Sequence, residues 1–172
     1  MTSDQQARSD AVFEQLFTDY RQPILNYVYR LVGDGQMAED LTQRVFVKAY
    51  RALHRLPADA NRRAWLYRIA TNASYDHLRR RRLVQWLPLL EWDRRSDAQR
   101  SPEDDASQRD AVQRALASLP PDHRAVLILY SVQGYSTVDI AEMLGISRGA
   151  VKTRLFRARE KFREAFGNVA KE

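Results

Sequence analysis

The sequence predicts an all-α protein of two small helical domains joined by a flexible linker. Three observations carry that expectation. Apolar residues recur at steps of three and four through both halves of the chain, and no segment shows the strict alternation of a strand. The charge is segmented, with two basic blocks flanking an acidic middle. Residues 136–159, STVDIAEMLGISRGAVKTRLFRAR, read as two short helices hinged at a glycine.

The chain has 172 residues, 44% of them apolar, which is enough for one domain or two small ones. Residues 1–83 carry 14 Lys and Arg against 9 Asp and Glu; residues 84–107 carry 3 against 6; residues 108–172 carry 11 against 7. The stretch DRRSDAQRSPEDDAS at 93–107 has no apolar residue larger than alanine and reads as a tether. The expected boundaries are therefore a first domain at 1–83, a linker at 84–107 and a second domain at 108–172.

The first element is a helix whose buried face is Phe13, Leu16, Tyr20, Ile24, Tyr27 and Leu31, with Pro23 as a kink or internal boundary. Gly33-Asp34-Gly35 makes a turn. A second helix carries Leu41, Val45, Val47 and Tyr50. Residues Arg55 to Arg62 form a loop around Pro57. A third helix runs from about Arg63 to Arg82 and ends in four consecutive arginines. Trp65 and Ile69 belong to its core face. Trp65, Tyr67 and Tyr75 also offer stacking surfaces, Asn72 can read a base edge, and Arg62, Arg63, Arg68 and Arg79 to Arg82 can hold phosphates. Aromatics interleaved with cations suit unstacked bases better than an intact duplex.

In the second block, Val112, Leu116 and Leu119 mark a helix ended by Pro120-Pro121. The next helix starts at Pro121 or Asp122, carries Val126, Leu127, Leu129 and Tyr130, and is capped near Gly134. Ser136 and Asp139 are placed for a capping box, and Tyr135 with Ile140 for a hydrophobic staple. Gly145 supplies the tight turn, and Ser147 caps the last helix. On that helix Val151, Leu155, Ala158 and Phe162 should face inward. Arg148, Lys152, Thr153, Phe156, Arg157 and Arg159 are left outside or on the flanks, and the early residues of such a helix reach base edges in the major groove.

Composition bounds the function. A net charge of +6 and a pI near 9.8 favour a polyanionic partner. There is no cysteine, so disulfides and thiolate metal sites are excluded. His54, His77 and His123 show no metal spacing, and no Gly-rich phosphate loop occurs. The expectation is a non-enzyme that needs no cofactor and no metal. No run approaches the roughly 20 apolar residues of a membrane span, so a soluble, cytoplasmic protein without membrane insertion is expected.

Three segments, in order, carry a resemblance to a known family. AEDLTQRVFVKAYRAL at 38–53 looks like region 2.2 of the extracytoplasmic-function (ECF, group IV) sigma factors of bacterial RNA polymerase. AWLYRIATNASYDHLRRR at 64–81 looks like regions 2.3 and 2.4. SLPPDHRAVLILYSVQGYSTVDIAEMLGISRGAVKTRLFRARE at 118–160 looks like region 4. The resemblance implies a protein that binds core RNA polymerase at its clamp helices and flap and directs promoter-specific initiation. Asp40, Gln43 and Phe46 match the family's polymerase surface, and Arg44 stands where the family usually has Glu. The loop Arg55 to Arg62, including Leu56, together with Arg62, Arg63, Arg68, Asn72, Arg79 and Arg80, matches the part that captures bases of the −10 non-template strand. Arg148, Lys152, Thr153, Arg154, Phe156 and Arg157 match the reader of the −35 duplex; Arg154 enters from the resemblance alone. Promoter DNA and an anti-sigma factor are the other implied partners. The rival reading is a stand-alone helix-turn-helix regulator that binds duplex DNA without polymerase. For the apolar stretch VQWLPLLEW at 84–92 two readings stand open: a short helix packed back on the first domain, or a docking segment for a partner.

Overall fold

The computed structural model describes residues 3–86 and 104–169. Among them there are seven α-helices and one short 3₁₀ turn, and no strand. The all-α expectation holds. The apolar linker residues 87–92 and most of the acidic stretch lie outside the described residues.

Helix α1 spans Ser3–Val32 and continues through Pro23. Proline removes one N–H, so the helix loses a single hydrogen bond there rather than ending. The expected face is confirmed: Leu16, Ile24, Tyr27 and Leu31 are buried, and Phe13 and Tyr20 are half-buried. Gly33 turns the chain with φ +77°. Asp34 then caps α2 (Gly35–Ala52) by accepting from the Met37 N–H at 2.9 Å. Leu41, Val45 and Ala49 of α2 are buried, whereas Val47 and Tyr50 are exposed. A 3₁₀ turn at Leu53–Arg55 leads into the loop. Asn61 starts α3 (Arg62–Trp86), its side chain accepting from the Ala64 N–H at 3.0 Å.

The second block comprises α4 (Asp104–Ala117), α5 (Pro121–Ser131), α6 (Thr137–Leu144) and α7 (Arg148–Val169). Both ends of the expected linker are thus helical, because α3 extends to Trp86 and α4 begins at Asp104. The capping box on α6 is complete, and Gly145 closes that helix with φ 65° in the left-handed region. Ser147 accepts from the Ala150 N–H at the start of α7.

The two helical blocks are packed on one another, which the sequence left open. Helix α1 touches α4 and α5, and α3 lies along α6. Arg124, only 7% exposed, is the buried strut of this contact. Its guanidinium donates to the Leu31 carbonyl at the end of α1. It also donates to the Ala117 carbonyl at the end of α4 and to the Leu119 carbonyl in the connection to α5, each at 2.9 Å. One cation thus satisfies two carbonyls that helix termini would leave orphaned and a third in the connection after α4. Burial lowers the pKa of that guanidinium, the electrostatic sign of what placing it there costs.

Tyr67 is the second strut, and its expected stacking role is corrected here. It is fully buried, on the face of α3 shared with Ala70, Thr71 and Ser74. Its hydroxyl donates to Gln133 Oε1 at 2.6 Å and accepts from the Tyr135 hydroxyl at 3.2 Å. The Gln133 amide in turn donates to the Pro23 carbonyl at 3.0 Å. The rings of Tyr20, Tyr27 and Tyr135 surround the Tyr67 ring at centroid distances of 5.3–6.5 Å. Burial, first among the causes, pushes the Tyr27 and Tyr67 phenols far above their ordinary range, so both serve as neutral hydrogen-bonding groups.

Candidate nucleic-acid and polymerase interfaces

Helix α7 presents the first candidate site. Its inward residues Val151, Leu155 and Ala158 are buried and Phe162 is half-buried. That periodicity leaves Arg148, Lys152, Thr153, Phe156 and Arg157 exposed along one outer side. Phe156 is 64% exposed, an apolar ring held in water between cations. Arg148 Nε donates to the Thr137 hydroxyl at 3.2 Å, joining the start of α7 to α6. Arg154 differs from the rest: it is half-buried and its Nε lies 3.5 Å from Asp122 Oδ2. The Asp122 carboxyl is held below its usual range. Burial works against that shift; hydrogen bonds from His123 and the charge of Arg154 outweigh it.

The second candidate site is the exposed side of α3 and the loop before it. Asn72, Arg79 and Arg80 are exposed, and Arg79 is ion-paired with Asp76. Leu56 is half-buried, its N–H donating to the Leu53 carbonyl at the end of the 3₁₀ turn. Arg62 is half-buried too. Arg63 and Arg68 face α6 instead of solvent alone. Arg63 Nη2 is 2.9 Å from Asp139 Oδ1, and its guanidinium lies 5.1 Å from the Tyr135 ring centroid. Arg68 Nη2 donates to the Glu142 carbonyl at 2.6 Å. Asn61 joins them, its amide donating to Glu142 Oε2 at 2.9 Å. The cationic side of α3 is therefore split into a part against α6 and a part open to water.

The third site is on α2. Asp40 and Gln43 are exposed. Phe46 is 4% exposed and packs edge-on against Phe13 and Phe17, with ring centroids 6.3 and 5.0 Å away. The surface beside Gln43 is a shallow basic hollow lined by Arg44, Val47, Lys48, Arg51 and Arg55.

Sequence reasoning passed over Asn61, Arg124, Gln133, Asp139 as a partner of Arg63, and Glu142. Asn61 carried a local signal, a capping residue three positions before Ala64. The others work across the two blocks, where spacing within one helix says nothing. Among the described residues no group of three or more His, Cys, Asp or Glu could hold a metal, and no helix is long and apolar enough to cross a membrane.

An all-α chain with a capped helix-turn-helix in its second block and an arginine-lined helix in its first defines a two-part DNA-binding protein. Comparison narrows that class. The family described as Sigma-70 region 2 matches residues 16–84, and the one described as Sigma-70, region 4 matches residues 109–162. RNA polymerase sigma factor CarQ of Myxococcus xanthus is 37% identical over 161 residues, covering 93% of this chain and 92% of CarQ. ECF RNA polymerase sigma factor SigW of Bacillus subtilis is 30% identical over 163 residues, covering 88% and 87%. The solved structure of the sigma factor RpoE in complex with the anti-sigma factor NepR from Bartonella quintana aligns with a TM-score of 0.70 at 28% identity. It covers 90% of this chain and 96% of that one. CnrH, solved in complex with the cytosolic domain of CnrY, aligns with a TM-score of 0.71 at 25% identity, covering 95% and 96%. The chain belongs to the ECF sigma factors of the sigma-70 family, non-enzymatic factors of RNA polymerase-dependent, promoter-specific transcription initiation.

Proposed function

We propose that this sigma factor grips its promoter at two points, reading a −35 element as duplex and capturing unstacked −10 non-template bases. Residues 108–172 act as the duplex reader and residues 1–83 as the melting and polymerase-binding domain, with 84–107 between them. The observation that carries the reading is the outer side of α7. Lys152, Thr153, Phe156 and Arg157 stand exposed on a helix whose other side is packed, the arrangement that lets a helix enter the major groove. Arg148 flanks them at the N-terminal end, and Arg154 joins them once freed from Asp122.

For the −10 strand, Asn72 offers an amide to a base edge, and Arg62, Arg63, Arg68, Arg79 and Arg80 offer charge to phosphates. Leu56 lies in the loop at the rim. Opening a duplex costs on the order of 1.4 kcal/mol per base-pair step, so one captured base cannot sustain a melted region. The polymerase shares that cost through its clamp helices on Asp40, Gln43 and the α2 surface beside Phe46, and through its flap on the second domain. The chain acts in the cytoplasm, where the polymerase is. The relatives solved with NepR and CnrY support an anti-sigma factor as a further partner.

The test is runoff transcription with purified protein, core RNA polymerase and a promoter library. Promoter-specific transcripts sharing upstream and downstream elements are expected. Tight polymerase-free binding to a palindrome with no transcript would make the chain a stand-alone regulator instead. Within the same assay, Lys152→Ala with Arg157→Ala should weaken initiation through the upstream element while polymerase binding stays intact. For each cation that no longer neutralises a phosphate, the log–log salt dependence should flatten by a slope of about 0.9. Asn72→Ala should impair open-complex formation more than closed-complex binding.

A further inference from the structure

The second block carries an apolar groove that none of the residues assigned above to promoter or polymerase uses. It lies between α4, α5 and α7 and holds about 520 Å³. Val112 and Leu116 line it from α4, Val132 from α5, and Phe162 and Phe166 from α7, the two rings stacked 5.7 Å apart. The volume falls within the roughly 300–1,000 Å³ of sites that bury a compact apolar ligand. Arg30, Arg159 and Arg163 complete the lining. Among the described residues no carboxylate is paired with any of these three. Apolar walls beside three cations fit an apolar occupant with carboxylates next to it.

The chain holds a segment of that chemistry. Among the residues outside the described ones, only 87–92, LPLLEW, is apolar; Glu91 lies within it and Asp93 follows. The apolar run begins inside α3, where Leu83 and Val84 are 61% and 58% exposed. The described part of the first block thus leaves the end of α3 uncovered, which counts against a segment folded back along it. Both ends of the segment are tied near the groove. The Asp34 carboxylate acts on His77, so α3 passes the turn after α1. Gln113 of α4, next to Val112, donates to the Arg30 carbonyl just before that turn. From His77 to Trp86 the helix rises roughly 14 Å. Residues 87–92 then span up to about 20 Å, and residues 93–103 up to about 36 Å. Asp104 is about 12 Å of helix from Val112.

We propose that residues 87–92 dock in the groove of their own second block, the leucines and Trp92 against its apolar walls and Glu91 and Asp93 beside its arginines. The linker is then held to the second block at one point between its two helical ends. Tethering keeps the segment at an effective concentration on the order of 1 mM, so a Kd of about 0.1 mM in trans fills the groove in roughly nine chains of ten. A partner segment of like chemistry has to compete for the same walls. The inference does not depend on the −35 and −10 assignments.

The probe is a labelled synthetic peptide of residues 85–93, QWLPLLEWD, titrated by fluorescence anisotropy into the full chain. Leu87→Ser, Leu89→Ser and Leu90→Ser together lie outside the described helices and should vacate the groove. That serine chain should bind the peptide with a Kd of about 0.1 mM, and the unaltered chain about tenfold more weakly, because its own segment competes. Adding Val132→Asp, at an exposed position of the groove, should weaken binding to the serine chain by about tenfold or more. Val138→Asp, exposed on α6 and not part of the groove, should leave it unchanged. Equal binding by the serine chain and the unaltered chain would mean that the groove stands open, as a site for a partner, and overturns the proposal. A serine chain that binds no peptide overturns it too, as does binding indifferent to Val132→Asp, the outcome expected of a segment packed on the first block. A dimer in light scattering that the three serines dissolve would seat the segment on a second copy and overturn docking within one chain.

Discussion

Replacing Arg124 with methionine tests how the two blocks are held together. Its guanidinium donates to the Leu31, Ala117 and Leu119 carbonyls in a site 7% exposed. A hydrogen bond from a charged group contributes about 1.5–3 kcal/mol, so three amount to roughly 4.5–9 kcal/mol. Methionine removes the charge whose burial costs several kcal/mol, and that recovery offsets much of the loss. The carbonyls stay behind, one at the end of α1, one at the end of α4 and one in the connection after it, with no replacement donor. A net destabilisation of about 3 kcal/mol follows, a fall of roughly 6–12 °C in Tm for a chain of this length. Urea unfolding followed by far-UV circular dichroism and by tryptophan fluorescence measures it. Because Arg124 bonds across the blocks, the two probes should separate in the variant more than in the wild type. Arg124→Lys should fall between, since one ammonium cannot span all three carbonyls in the fork geometry. A loss below about 1 kcal/mol with coincident transitions would refute the reasoning.

Tyr67→Phe keeps the ring and deletes the hydroxyl between Gln133 and Tyr135. It should shift the closed arrangement by about 1–3 kcal/mol toward separation, seen as a larger radius of gyration in solution scattering. Gly145→Ala forces a side chain into φ 65° and sets its Cβ 3.4 Å from the Arg68 guanidinium. A loss of about 1–2 kcal/mol is expected in thermal unfolding, with Gly145→Asn less costly. Acidification should loosen the N-terminal cap of α6, where the hydrogen bond from the Ser136 hydroxyl is the main cause of the lowered Asp139 pKa, opposed by burial and aided by the Ser136 N–H and Arg63. Asp139 has a folded pKa below its unfolded value, so its contribution is complete above the ordinary carboxylate range and is lost as pH falls through the depressed value. Asp139→Asn should remove that acid-dependent component from a pH series of hydrogen exchange on α6.

The helices and most of their faces were legible in the order of residues. Steps of three and four place Leu16, Ile24, Tyr27 and Leu31 on one side of α1, and Val151, Leu155 and Ala158 on one side of α7. Burial follows because an apolar stripe on a helix has to be covered. Ser136, Asp139 and Gly145 stated the ends of α6 because capping and left-handed φ are local demands with few residue solutions. The outward cations of α7 followed from the same periodicity.

Which of these surfaces stay free is a matter of tertiary packing. Tyr67 reads along α3 as an aromatic among cations, yet it is fully buried between the blocks. Arg63 and Arg68 read as open phosphate ligands, yet they lie against α6. Arg124 carries no signal in the sequence, yet it is buried on three carbonyls. The partners that these side chains reach across the blocks lie between 66 and 93 residues away, from Gln133 for Tyr67 to Leu31 for Arg124. A helical repeat reports what lies three or four residues distant; contacts between blocks depend on the packing of faces that no single repeat contains.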